Sequence, residues 1–245
     1  MCIRDRYLVV LGHVKDNTLL LKGIIYSFHM PLFFFLSGFL HKLRIGGGKF
    51  CVSLVKQLVI PFFIFNGLTL LTKIKDIQTN GLIVTVYDFL KDFFESTFLG
   101  DFPVGPTWFI LSLIWMKIIM FLLLKIREDF LSLLIIEIIW ITALTLYYTL
   151  DFPQIPNYFH LGSSLLGFPF YLAGFLLKLK YKETVAWIKR KRWTIGLIFV
   201  FYIIGFLFNG FASLEGCKVG NYILLMYLTG LCGTLLTIVS THLLK

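Results

Sequence analysis

The sequence predicts an all-α fold, a polytopic integral membrane bundle of helices, and three observations carry this prediction. Of the 245 residues, 58% are hydrophobic and 15% are charged, whereas soluble globular domains contain about 45–50% apolar residues. The mean hydropathy of the chain is +0.86. The apolar residues stand in long unbroken runs, unlike the short alternating strands of a membrane barrel. Residues 1–245 are interpreted as a single membrane domain.

A membrane-spanning helix needs about 20 mostly apolar residues. About seven segments qualify as full spans, and residues 7–14 are interpreted as a truncated first helix, too short to cross a membrane. The predicted spans lie near 21–40, 52–71, 106–124, 130–149, 164–177, 193–208 and 222–244. Residues 82–99 mix apolar and acidic positions, which predicts an amphipathic helix lying on the membrane surface.

The loop charges predict the orientation of the spans. The connections at 41–50, 125–129 and 178–192 are basic, whereas those at 150–163 and 209–221 contain at most one lysine. Because basic loops face the cytoplasm, the first set is expected inside the cell. The net charge of +10 is therefore attributed to cytoplasmic loops and anionic lipid headgroups, and no nucleic-acid partner is expected.

Two histidines inside the apolar runs are the candidate catalytic residues. Ionisable groups within a bilayer are costly, so each needs a partner, a wet cavity or a function. His13 and His29 are expected to lie in the outer half of the membrane, within one polar pocket. Their ordinary pKa near 6.5 suits a general base. Pro31 cannot donate to the carbonyl of Ser27, which exposes a polar backbone group beside His29. A histidine that only bonds a neighbouring helix is the alternative for each.

Lys117 and Glu137 are predicted to form an ion pair that clamps two helices together. Each lies ten positions from Arg127, so the two side chains should reach the same depth in an antiparallel hairpin. His41 is expected to extend to the cytoplasmic interface, and His160 is interpreted as an ordinary loop residue. The four cysteines show neither disulfide nor metal-ligand spacing, and no metal site is predicted.

Two motifs carry a resemblance to a known family. "LVVLGH" ends at His13, and "FHMPLFFFLSGFL" contains His29. Together they resemble the start of the acyltransferase-3 family of bacterial membrane O-acyltransferases, with sugar O-acetylases as the most similar subgroup. "LVKQLVIPFFIF" at 54–65 and "GPTWFILSLIW" at 105–115 resemble two later helices of the same family.

The resemblance implies an activity and a site. Such an enzyme moves an acyl group, often acetyl, from acyl-coenzyme A to a hydroxyl of a sugar, a glycolipid or a cell-envelope polymer, in the bacterial cytoplasmic membrane. His13 and His29 match the family's motif histidines. Acyl-coenzyme A is expected as a substrate, with no bound cofactor. The phosphates of acyl-coenzyme A require cations, which basic residues at the cytoplasmic face could supply. The alternative is that these basic residues serve only to orient the protein in the membrane. The candidates are Lys42, Arg44, Lys49, Lys189, Arg190, Lys191 and Arg192.

The sequence also departs from the family pattern. The family has about ten spans and commonly a basic residue eleven positions before the first-motif histidine, where Cys2 stands here. Residues 1–6 are therefore expected to be non-native sequence in an incomplete chain. Two other classes stay open: an ion- or proton-coupled transporter, and a non-catalytic subunit of polysaccharide assembly. Transporters tend to contain inverted repeats, and no internal repeat is visible.

Overall fold

The computed structural model describes residues 19–42, 46–72, 79, 81–99, 107–150, 152–153, 155–191 and 193–243. This part of the chain is helical and contains no β-strand, which confirms the predicted all-α class. An isolated antiparallel bridge between Ser213 and Lys218 closes one loop. The predicted truncated helix at 7–14 lies outside the described residues.

The helices are numbered in chain order. A π-helical turn (Val55–Val59) joins α2 to α3, a second π-helical segment (Glu95–Leu99) follows α4, and a 3₁₀ turn (Tyr158–His160) precedes α7. The bounds are α1 Leu19–Phe39, α2 Gly47–Leu54, α3 Ile60–Thr72, α4 Leu82–Phe94, α5 Trp108–Ile126, α6 Phe130–Thr149, α7 Leu161–Leu179, α8 Tyr181–Arg190, α9 Trp193–Asn209 and α10 Ile223–Leu243.

Helices suited to a membrane stand at all seven predicted positions. Five stretches of the described chain are long and apolar enough to cross a bilayer, and two shorter apolar helices accompany them. The five are Gly47–Leu68, Trp108–Ile126, Phe130–Thr149, Tyr158–Leu179 and Ile223–Ser240; the shorter two are Gly23–Phe39 and Trp193–Asn209. The protein is therefore a multi-pass membrane protein. The helix predicted at 82–99 is present as α4 and the π-helical segment after it, and its place on the membrane surface stays a prediction.

Helix α7 forms the centre of the bundle. Helices α1, α5 and α6 pack around it, and α10 packs against both α1 and α9. Most α7 side chains are buried, including Phe168, Phe170 and Tyr171, which are fully enclosed. Pro169 is also buried inside the helix. The candidate site is consequently built from helices that share α7 as their support.

The α1–α7 crossing depends on two glycines that bring the backbones into contact. A Cβ atom on Gly38 would lie 1.8 Å from the carbonyl oxygen of Tyr171, and one on Gly174 would lie 1.9 Å from that of Phe35. Small residues permit such close approach between membrane helices, where lipid-like packing replaces the hydrophobic driving force. This crossing holds the inner end of α1 against the side chains of α7.

The basic loops gather at one end of the bundle, as their alternation requires. Lys178 donates a hydrogen bond to the carbonyl of His41, and the Lys180 ammonium lies 5.8 Å from the ring centroid of Phe130. At the opposite end, Asn157 donates to the carbonyl of Glu215 over 2.9 Å. Following the loop charges, we call these the inner and the outer end.

Candidate functional site

His29 is a buried side chain at the middle of α1, with 5% of its surface exposed. Its Nδ1 lies 2.9 Å from the carbonyl oxygen of Ile25, one helical turn earlier. Because a carbonyl only accepts hydrogen bonds, Nδ1 is the donor and carries the proton of the neutral ring. The basic lone pair of the imidazole is then on Nε2, the nitrogen that points away from its own helix backbone. In the neutral ring, Nε2 is therefore the nitrogen that can accept a proton.

The surroundings of His29 place it towards the outer end. The ring of Tyr26 meets it edge-on at 4.9 Å between centroids, and Tyr26 also lies 6.2 Å from Phe211 in the outer loop. Helix α1 continues without a break through Pro31, which lies against Gly230 of α10. The other predicted catalytic histidine, His13, lies outside the described residues, so the pairing of the two stays a prediction.

A second outer histidine, His160, was not predicted as a site residue and is in fact 97% enclosed, with 3% of its surface exposed. It has a left-handed backbone, φ 56°, directly after Phe159 at φ 51°. Its carbonyl accepts a 2.6 Å hydrogen bond from Ser164 Oγ, and its ring lies 6.2 Å from that of Trp108. Two consecutive non-glycine residues in this region cost of order 1–3 kcal/mol each. The interpretation of His160 as an ordinary loop residue was wrong.

Asn157 connects the turn that contains His160 to the next outer loop. Its Oδ1 accepts from the amide of Ser163 over 3.0 Å and from Ser163 Oγ over 3.1 Å, while its Nδ2 donates to the carbonyl of Glu215. The side chain thus caps the start of α7 and joins it to residues 210–222. These bonds fix the backbone turn that buries His160.

The inner end contains a basic cavity of about 260 Å³ between the end of α1, the α2–π segment and α5. The cationic or titratable side chains that line it are His41, Lys42 and Lys117. His41 is 8% exposed, and its Nδ1 lies 2.7 Å from the hydroxyl of Tyr171. The prediction that His41 extends to the interface was therefore wrong, because the α1–α7 crossing holds its ring under Tyr171.

The predicted ion pair between Lys117 and Glu137 is absent. Lys180 and Glu183 form the ion pair found among the residues that the structure describes, and Oε2 of Glu137 is buried without a hydrogen-bond partner. The physical reason is the packing of the hairpin: α5 and α6 each lie against α7 rather than closely against each other. Lys117 and Glu137 therefore do not face each other, although they lie at equal depth in the membrane.

The structure separates the predicted donor-binding cations. Lys42 lines the inner cavity. Lys49, Arg190 and Lys191 are exposed near the same end, and none of them is among the cavity's lining residues. Arg44, Arg192 and the side chain of Lys189 lie outside the described part. Donor binding by any of these seven residues stays a prediction.

A sequence signal existed for several missed residues. Four residues of α7 contact α1 or His41 just after it and recur at intervals of four, three and four positions: Gly167, Tyr171, Gly174 and Lys178. Helical residues three and four apart share a face. The stripe therefore indicated the face of α7 that carries Tyr171 and Lys178.

A multi-pass helical bundle with a buried histidine towards its outer end and a basic cavity at its inner end defines a class of membrane protein with a polar interior. Comparison with family models then gives the particular assignment. Residues 7–245 match the acyltransferase-3 model, described as an acyltransferase domain. The chain belongs to this family and is a membrane acyltransferase. Comparisons with curated proteins and with solved structures gave no match.

Proposed function

We propose that this acyltransferase moves an acetyl or similar acyl group from acyl-coenzyme A to a hydroxyl of a sugar, a glycolipid or a cell-envelope polymer, in the bacterial cytoplasmic membrane. The observation that carries the proposal is the buried His29, whose Nδ1 is bonded to Ile25 so that Nε2 is the basic nitrogen. Membership of the acyltransferase family supports an enzyme over a carrier.

The chemistry is an acyl transfer between two heteroatoms. The acceptor hydroxyl loses its proton to a histidine as its oxygen attacks the thioester carbonyl, forming a C–O bond. The C–S bond then breaks, and the thiolate of coenzyme A leaves and takes up the proton. His29 or His13 acts as the general base, a role for which a histidine contributes typically 10²–10⁴-fold. The second histidine orients the first.

The positions of the two polar regions support transfer between opposite faces of the membrane. His29 and His41 are twelve residues apart, which corresponds to about 18 Å at 1.5 Å per residue. A donor anchored at the inner cavity would need to extend by this distance to present its thioester near His29. The flexible pantetheine arm of coenzyme A has a comparable reach.

Replacement of His29 tests the proposal. His29→Ala should lower transfer of labelled acetyl from acetyl-coenzyme A to an envelope acceptor by at least 100-fold, because either the general base or the histidine that orients it is lost. Membrane insertion and acetyl-coenzyme A binding should stay unchanged. Met30→Leu is the matched control, since it alters the adjacent half-buried side chain without removing a titratable group.

Two results would contradict the proposal. Wild-type turnover by His29→Ala would remove His29 from the reaction. Failure of the unaltered protein to bind acetyl-coenzyme A would exclude this compound as the acyl donor. A transfer rate that falls equally in His29→Ala and Met30→Leu would show that packing of α1, not proton transfer, is what the substitution disturbs.

A further inference from the structure

Lys117 is a half-buried ammonium group within a membrane-spanning helix. It lines the inner cavity, and no carboxylate or other hydrogen-bonding group of the described chain lies within bonding distance of it. A charge taken out of water is costly unless it is paired. An unpaired lysine in this setting, facing an open cavity, indicates that its counter-ion comes from a ligand.

The whole lining of the cavity suits an anion. None of the cavity's lining residues, all of them in the described chain, is acidic. Ser37, Ser53 and Gln57 add neutral hydrogen-bonding groups to the cations. The volume of about 260 Å³ lies just below the usual range of small-ligand pockets, about 300–1,000 Å³. The cavity therefore fits an anionic group of a larger ligand rather than the whole ligand.

The titration of His41 reports the same positive field. Its pKa falls from 6.5 to about 4, first because the ring is buried and then because Lys117 and Lys178 are positively charged nearby. The imidazole is thus neutral at physiological pH.

We propose that the inner cavity binds phosphate groups of the acyl donor, with Lys117 as their counter-ion and Lys42 at the cavity's edge. This inference rests on the donor named in the proposed function. It assigns Lys117, first interpreted as half of a structural clamp, to ligand binding. Phosphate is favoured because it combines concentrated negative charge with several acceptor oxygens.

The test compares two lysines of the same helix. Lys125, eight residues after Lys117, is exposed and lies over the ring of Phe121 rather than in the cavity. Binding of acetyl-coenzyme A is measured by calorimetry for the unaltered protein, Lys117→Met and Lys125→Met. All three are held in nanodiscs of zwitterionic phosphatidylcholine. Lys117→Met should raise the dissociation constant at least tenfold, and Lys125→Met should raise it less than twofold.

Thermal unfolding of the same samples separates binding from folding. Because Lys117→Met removes an unpaired charge, its melting temperature without ligand should equal or exceed that of the unaltered protein. A variant that is stable but binds weakly supports the proposal. Equal affinity of Lys117→Met and the unaltered protein would overturn it and leave the proposed donor intact. Absence of acetyl-coenzyme A binding by the unaltered protein would instead overturn the donor itself.

A lipid headgroup is the other source of phosphate, and native mass spectrometry distinguishes it. If phosphatidylglycerol binding depends on Lys117 while acetyl-coenzyme A binding does not, the cavity holds a lipid and the assignment to the donor is wrong. If anionic lipid binds Lys117→Met and Lys125→Met equally, the assignment to the donor stands with the calorimetric result.

Discussion

Replacing Gly38 with alanine should separate α1 from α7 and destabilise the protein. The added Cβ would lie 1.8 Å from the Tyr171 carbonyl oxygen, whereas ordinary contact begins at 3.4 Å. The obstructing atom belongs to a helix backbone and cannot rotate away, so the helices must move apart. Overpacking typically costs 1–3 kcal/mol. We expect about 3 kcal/mol here, because the shift also loosens neighbouring contacts.

Gly174 provides an internal check on this reasoning. Its Cβ would lie 1.9 Å from the Phe35 carbonyl oxygen in the same crossing, so Gly174→Ala should cost a similar amount. The double variant should lose less than the sum of the two, because helices already separated accommodate the second methyl group more easily.

The assay is chemical or thermal unfolding in detergent micelles, followed by tryptophan fluorescence. Gly196→Ala in α9 is the matched control, since a Cβ there meets nothing within 4 Å. It should be neutral or stabilising by up to about 1 kcal/mol, because alanine favours helix more than glycine. A Gly38→Ala variant within 0.5 kcal/mol of the unaltered protein, an estimate of ordinary surface effects, would refute the close crossing.

Further predictions concern pH and membrane orientation. The pKa of His41 is about 4 in the folded protein, against an ordinary value of 6.5. The unfolded chain therefore binds more protons between these two values, and stability should fall as pH drops from about 6.5 to 4. The loss of unfolding free energy should approach about 3 kcal/mol, and unfolding measured at each pH should show a smaller loss in His41→Gln. An identical pH dependence in that variant would show that His41 does not cause the loss. With native cysteines removed, a cysteine at Thr79 should react with an impermeant thiol reagent in intact cells and one at Lys191 should not; the reverse pattern would invert the orientation and the side of donor entry.

The membrane class and the positions of the spans could be predicted because hydropathy is a local property of the sequence. Each predicted span has a helix at its position. The burial of His29 could also be predicted, since a titratable ring inside an apolar run must face the bundle interior. These inferences need the length and the composition of a segment, and they do not need its neighbours.

The remaining features depend on how helices turn around one another. Lys117 and Glu137 share a depth, but depth does not determine the direction in which a side chain points, and α7 lies between their helices as the common support. His41 follows the end of α1 and is buried because Gly38 lets that end meet Tyr171. His160 is buried by a left-handed turn, a conformation that the bulky residues of this segment do not predict.

The central place of α7 has a consequence for how the chain is assembled. In an 18-residue segment of Tyr158–Leu179, 78% is buried inside the protein, against 11% for the corresponding segment of α6. Yet Tyr158–Leu179 is the least apolar of the five long spans. A segment of this kind gains least from lipid on its own when it leaves the ribosome and the insertion machinery. Helices α1, α5 and α6 precede it in synthesis and provide the faces that it will contact. We therefore expect stable insertion of α7 to be a late event that depends on those earlier helices, so that substitutions on their α7-facing sides would reduce the yield of inserted protein before they change the activity of the molecules that mature.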